Sequence, residues 1–350
     1  MSIILLIVLI VSLWGIRFRK NDTYEYLSPK QTYAINGIFV MFVFLRHFGM
    51  TISFGSYDLL FEKIDSMLGQ LIVTTFLFYS GYGIMYSVLH KPRYIDSLPK
   101  RFLRLLFQFD LAVLLYLIVD FCIGKAYPTS TILLAFIAWK SVGNSTWYIF
   151  AILCLYVITY IFGKVCKGKH LFLILSVVLG CIIYTIVLRT IGKPTYWYDT
   201  ILCFPLGLFY SLYSKKIDSI LGGKLIRKLI NILLPFILFT MFFYLVRHTP
   251  DNIIHLLFLI ARNVLFVWTV VAITAIIKVG NKVLDFLGKY IFEIFILQRI
   301  PMVIFEGKFT NNYIYFFVCL TITIGLSILF RFLINFLFKL SNNHKSIVST

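Results

Sequence analysis

This sequence is short of acidic charge. Only 14 of its 350 residues are Asp or Glu, and charged side chains of both signs make up 13%. Soluble domains carry about twice that share, so an ordinary soluble domain is excluded. No polar stretch runs much beyond about twenty residues, too few for a separate core. Cysteine is sparse and scattered: Cys122, Cys154, Cys166, Cys181, Cys203 and Cys319 fall mostly inside apolar runs, with no CxxC pair. Neither a metal site nor a disulfide framework is indicated. The strict alternation of a membrane barrel is missing. So is a convincing internal repeat, which weighs against an inverted-repeat transporter. No small-residue cleavage site follows the first apolar run, Ser2 to Ile16; Arg17, Phe18, Arg19 and Lys20 come next. That run reads as a retained helix rather than a signal peptide.

What is present is hydrophobic. Apolar residues make up 60% of the chain and aromatic ones 18%, with a mean hydropathy of +0.92. They come in blocks near the length needed to cross a hydrocarbon core of roughly 30 Å. Polar breaks separate segments near 2–16, 33–53, 68–88, 102–123, 147–162, 171–188, 200–213, 230–246, 254–277, 286–305 and 313–338. The expected fold is an all-α, polytopic transmembrane bundle of about 11 helices. A further apolar stretch, 129–138, is short enough to lie along the interface or re-enter. The organisation expected is an extra N-terminal helix and linker over 1–32, a membrane domain over 33–340 and a tail over 341–350.

Basic residues number 33, giving a net charge of +19. In a soluble chain that would suggest nucleic acid; in a membrane chain it reflects loops facing anionic lipid. The bilayer, and no nucleic acid, is therefore the expected partner. One set of alternating loops holds 22 of the basic residues and the opposite set eight. The positive-inside rule then makes this a multi-pass protein of the cell (plasma) membrane, N-terminus outside and C-terminus cytoplasmic. An odd number of spans satisfies both termini.

Ionisable side chains at bilayer depth are costly and usually line a cavity or pathway. The candidates are Arg46, His47, Asp110, Asp120, His255, Arg262 and Glu293. His47 lies about fourteen residues beyond Tyr33, roughly 21 Å along a helix axis, and is either an interior group or a helix-end group reaching headgroups. His255 and Arg262 are seven apart and share a face. Glu293, in an otherwise apolar stretch, suits an interior arginine as partner. Asp110 and Asp120 read as lying near the two ends of one helix. Arg101 and Arg104 open a helix on one side of it, where two guanidinium forks can hold a phosphate; ordinary positive-inside decoration is the commoner explanation for such residues.

The order of these segments resembles the acyltransferase 3 family, integral membrane enzymes that O-acylate sugars of cell-surface polysaccharides. Asn36-Gly-Ile-Phe-Val-Met-Phe-Val-Phe-Leu-Arg-His47 is similar to the family's first core helix. Phe76-Leu-Phe-Tyr-Ser-Gly-Tyr82 looks like its Phe-rich Ser-Gly-Tyr/Phe helix, and Lys100-Arg-Phe-Leu-Arg104 like its Arg-x-x-Arg motif. Ser145-Thr-Trp-Tyr148 and the stretch from Leu287 to Gln298 fit its Trp-centred and late-helix patterns. Two positions depart from the pattern: Asn36 stands where most members have Arg or Lys, and Gln298 where many have His.

The resemblance implies transfer of an acyl group, with acetyl-CoA as donor and no metal, to a sugar hydroxyl of a polysaccharide or a lipid-linked sugar. It implies CoA phosphates at Arg101 and Arg104, with the thioester arm passing inward between helices. His47 would act as general base, with Asn36 on the same face; Arg46, Ser80 or Tyr82 would stabilise the oxyanion. Trp147 and Tyr148 would stack on the acceptor sugar, or serve only as an aromatic belt, and Arg262 and Glu293 would complete the substrate site. Direct transfer and a two-step route through an acylated carrier both remain open, as does a homo-oligomer. The alternative function is a non-enzymatic flippase or exporter of a lipid-linked or polymeric glycan, with Arg46, His47, Arg262 and Glu293 lining its path.

Overall fold

A computed structural model describes residues 1–19 and 25–348; Lys20 and the last two residues of the expected tail lie outside the described residues. In hydrocarbon, every backbone N–H and C=O must find its partner within the chain, and a helix does this segment by segment. The apolar runs accordingly fold as helices: α1 (Ser2–Leu13), α2 (Pro29–Gly49), α3 (Leu59–Leu68), α4 (Leu71–His90), α5 (Leu98–Cys122), α6 (Thr129–Ala135), α7 (Trp147–Cys166) and α8 (His170–Thr190). They continue with α9 (Cys203–Leu212), α10 (Ser214–Leu221), α11 (Leu225–His248), α12 (Ile253–Ile276), α13 (Lys282–Lys289), α14 (Ile291–Leu297), α15 (Arg299–Phe305) and α16 (Asn312–Val348). Eight are long and apolar enough to cross a membrane, while α1 and α9 are shorter apolar helices. The chain is a multi-pass, all-α helix bundle.

Ten of the eleven expected segments are single helices; the segment expected over 286–305 is not. It is divided among α13, α14 and α15. Pro301 explains the second break, because it has no N–H for the carbonyl of Leu297 and its ring crowds that carbonyl. Gln298 sits at the joint between α14 and α15. The stretch near 129–138 turns inward after α6, with Ala135, Ala138 and Val142 fully buried. The last helix continues through 341–348, where a tail was expected.

Loops rich in Lys and Arg gather at one face, hereafter the basic face, where α2, α5 and α11 begin and α4, α7 and α12 end. A two-residue ribbon, β1 (Arg17–Phe18), pairs antiparallel with β2 (Ile277–Lys278) there and ties the chain after α1 to the end of α12. Residues of α1 pack on α2, α3 and α13 within a second core cluster.

Two helix crossings bring backbone onto backbone. A Cβ on Gly81 of α4 would strike the Phe204 carbonyl oxygen of α9, and one on Gly207 of α9 the Phe78 carbonyl oxygen. Likewise Gly37 of α2 lies against Leu284, and Gly288 of α13 against the Tyr33 carbonyl. Glycine at such positions lets helices approach closely where lipid offers no hydrophobic drive for association. Gly207→Ala should therefore lower the thermal unfolding midpoint in detergent, by about 1–3 kcal/mol of overpacking strain. Gly83→Ala, with nothing within 4 Å of its Cβ, should leave the midpoint near that of the parent protein. Equal midpoints for the two variants would refute the close-crossing account.

Candidate functional site

Helix α2 starts on Ser28, whose hydroxyl accepts from the Gln31 N–H, with Pro29 in the first turn. From that fixed start, Asn36 and His47 fall eleven residues apart, about three turns, and so share one face. Both face internal space. His47 is half-buried, with Nε2 3.2 Å from the Ser145 hydroxyl and Nδ1 buried without a partner. Ser145 belongs to the segment before α7, which is braced by Asn144: its side-chain oxygen accepts from the Val142 N–H at 3.1 Å, and its carbonyl accepts from the Ser141 hydroxyl at 2.6 Å. The Gln298 carboxamide, at the α14–α15 joint, lies against the same ring, and the guanidinium groups of Arg46 and Arg299 flank it.

Three cavities follow one another through the bundle. The first, on the side away from the basic face, measures about 340 Å³ and is lined by Arg46, His47, Ser145, Trp147, Trp197 and Arg299, among others. The second, about 280 Å³, is lined by Asn36, Tyr79, Ser80, Tyr148, Phe292 and Phe295. Asn36 Oδ1 and the Tyr79 hydroxyl are buried there without partners. The third, about 460 Å³, opens at the basic face between Lys100, Arg101, Arg104, Gln108, Tyr156 and Phe292. Phe295 is common to the first two cavities and Phe292 to the last two, so α14 forms a wall along all three.

The residues singled out from sequence distribute unevenly. His47, Arg46 and Trp147 meet in the outer cavity; Asn36, Ser80 and Tyr148 in the middle one; Arg101 and Arg104 at the basic mouth. Arg46 also ion-pairs with Asp65 of α3. Burial lifts the Asp65 carboxyl above its usual range, and that guanidinium opposes the shift. Arg101 lies over the Tyr94 ring at 4.8 Å and Arg104 over Phe338 at 4.7 Å.

Other singled-out residues lie elsewhere in the bundle. Tyr82 lines none of the three cavities; it packs against Tyr86 and Tyr210 beside the close α4–α9 crossing. Tyr148 does not join Trp147 on one surface, because successive helix positions diverge by about 100°; its ring meets Phe76 and Phe295 inside the bundle. Neither Arg262 nor Glu293 reaches a cavity. Arg262 donates to Asn263 Oδ1 at 3.1 Å, next to Asp199. Glu293 is held by Arg331 of α16 through two bonds of 2.8 and 2.7 Å. Asp110 stands at the middle of α5, and only Asp120 is near an end, bonded by the Tyr127 hydroxyl at 3.0 Å.

The sequence reading missed Arg299, Tyr196 and Trp197 in the outer cavity. The signal for Tyr196 and Trp197 was the aromatic cluster after Pro194, in a loop too polar to span. Lys193 pins that loop: its ammonium sits 3.8 Å from the ring centroids of both Trp139 and Trp197 and donates to the Trp139 carbonyl at 3.2 Å. Burial lowers the Lys193 ammonium from its ordinary value, and Lys140 adds to the effect.

Removing one member of a buried ion pair leaves an uncompensated charge. Arg331→Leu should therefore destabilise the protein by about 3 kcal/mol in detergent unfolding. Adding Glu293→Gln should restore part of the loss; a double variant no better than the single one would show that the pair acts in another way.

Comparison with curated proteins and with solved structures returned no match. The sequence profile of an acyltransferase domain, that of the acyltransferase 3 family, matches residues 33–332. That span holds α3 to α15, nearly all of α2 and most of α16, and leaves α1 and β1 outside. On a match covering most of its length, the chain belongs to the acyltransferase 3 family.

Proposed function

We propose that this membrane acyltransferase moves an acyl group, acetyl foremost, from acyl-CoA to a sugar hydroxyl of a cell-surface polysaccharide or its lipid-linked precursor. The observation that carries the reading is the succession of three cavities from a basic mouth to a half-buried histidine. The bias of basic loops makes the basic face cytoplasmic in the plasma membrane, the side on which acyl-CoA is made. Arg101 and Arg104 then meet the CoA phosphates, and Lys100 adds a third cation. The middle cavity suits the pantetheine arm: Asn36 Oδ1 accepts an amide N–H, and the Tyr79 hydroxyl donates to a carbonyl. Both atoms are otherwise buried without partners, an arrangement that costs free energy until a ligand fills it.

Bound acyl-CoA supplies an activated thioester carbonyl. The chain does the rest in the outer cavity. Trp147, Tyr196 and Trp197 offer ring faces to a sugar. His47 takes the proton from the attacking hydroxyl as its oxygen bonds the carbonyl carbon; the carbon–sulfur bond breaks, and the proton passes to the leaving thiolate. Arg299 is placed to stabilise the developing oxyanion, with Arg46 held back by Asp65. Ser145 orients the imidazole. The exporter alternative loses its polar seam, since Arg262 and Glu293 stand outside the cavities.

Three measurements test the reading. Surface polysaccharide from cells lacking the gene should lose O-acetyl signals in NMR. The intact gene should restore them and His47→Ala should not, its transfer rate falling at least about a hundredfold; retained acetylation would sink the assignment. Arg101→Ala with Arg104→Ala should raise KM for acyl-CoA about tenfold or more, the value of one charge-assisted contact. Phe292→Trp should block the passage, so that acyl-CoA still binds while transfer drops; an unchanged rate would remove the passage from the mechanism.

A further inference from the structure

A fourth cavity, about 350 Å³, opens at the basic face away from the Arg101 mouth. It lies where the N-terminal addition meets the acyltransferase core. One wall is Gly15, Arg17, Arg19 and Lys30; the other is the turn from Lys278 to Asp285. Five cationic side chains line it: Arg17, Arg19, Lys30, Lys278 and Lys282. Two carboxylates, Glu25 and Asp285, oppose them. Among the described residues, no carboxylate lies within ion-pair distance of Arg17, Lys30, Lys278 or Lys282.

The register makes this excess of charge hard to dismiss as surface decoration. Arg17 and Lys278 are direct cross-strand partners in the β1–β2 ribbon, and like charges directly opposite each other destabilise a strand pair. The surrounding wall is built all the same. The Arg19 guanidinium is fixed by the Thr274 carbonyl at 3.1 Å and by Gln31 Oε1 at 2.9 Å. Buried Gln31 donates in turn to the Val279 carbonyl at 2.7 Å. The Asn281 side chain ties the turn to α1 through the carbonyls of Val11 and Trp14. Gly15, at φ +83°, would meet the Gly280 carbonyl if it carried a Cβ. A rigid wall that holds opposed cations together is an anion site waiting for its counter-charge.

We propose that this cavity binds a phosphate group, with Arg17, Lys278 and Lys282 as its principal ligands, and that the bound anion locks the added N-terminal helix onto the core. The phosphate comes from an anionic lipid headgroup at the adjacent membrane surface or from solution. The site is independent of acyl transfer.

The test uses the full-length protein in neutral detergent. Its unfolding midpoint is followed with added inorganic phosphate, or with short-chain phosphatidylglycerol, at constant ionic strength set with chloride. The parent should be stabilised by at least one of the two. A response to inorganic phosphate identifies a soluble source; a response to phosphatidylglycerol alone identifies a headgroup. Arg17→Gln with Lys278→Gln should raise the midpoint in the absence of anion, because the opposed charges are gone. It should also weaken the response about tenfold in ligand concentration, the loss of a charge-assisted contact. Lys30→Gln with Lys282→Gln, which leaves the ribbon intact, gives a second route to the same weakening. Lys215→Gln with Lys216→Gln, on the same face but outside the cavity, should respond like the parent. If neither anion stabilises the parent, or if the Lys215 and Lys216 variant loses the response equally, the effect is diffuse attraction and the site is refuted.

Discussion

The cost of an unpartnered backbone group in hydrocarbon governs this molecule. It forces the apolar runs into helices, and it makes any interruption expensive unless protein surrounds it. The structure interrupts a span where it builds its central site. Pro301 denies the Leu297 carbonyl its partner, the helix breaks at Gln298, and the freed joint delivers Gln298 and Arg299 beside His47. The segment from Trp139 to Thr146 does the same from the other side, turning inward without regular helix to bring Ser145 to the imidazole. A continuous helix over 286–305 could not place both α14 as a wall of three cavities and Arg299 at the outermost.

How much of this was legible in the sequence follows from the range of the interactions involved. The spans were legible because hydropathy is local. His47 and the Arg101–Arg104 pair were legible because a charge in an apolar run is conspicuous, and their order along the chain brought the family into view. The break in 286–305 was hidden because Pro301 sits among residues apolar enough to span. Partner choice was hidden altogether. Glu293 suits any interior arginine, and only the packing of α16 on α14 selects Arg331 over Arg262. Helix geometry sends Tyr148 toward the middle cavity, while Trp197, buried against Trp139 and Phe150, is set on the outer cavity by a loop that Lys193 clamps.

The interior charges are mostly neutralised in pairs: Arg46 with Asp65, Arg331 with Glu293, Arg262 beside Asp199. Pairing of this kind contributes little net stability, since desolvation offsets most of the attraction. It does fix which helices meet and in what register. It also engages Arg46 with Asp65, so that among the described residues lining the outer cavity Arg299 is the guanidinium without a carboxylate partner.

The middle cavity then acquires a meaning that Asn36 alone does not suggest. Its polar lining is Thr32, Asn36, Tyr79, Ser80 and Tyr148, with no charged side chain. A cation at position 36 would have to be stripped of water there or be matched by an anion. Asparagine avoids that penalty and keeps a hydrogen-bond acceptor. On the proposed reading, a neutral, amide-bearing arm would occupy this chamber at little electrostatic cost, while the phosphates at its far end would stay with Arg101 and Arg104 in water. On that reading, the charge that holds the donor and the charge that stabilises the reacting oxygen are kept in separate cavities. The neutral space between them, lined by Phe292 and Phe295, is passable to an uncharged chain and closed to bare ions.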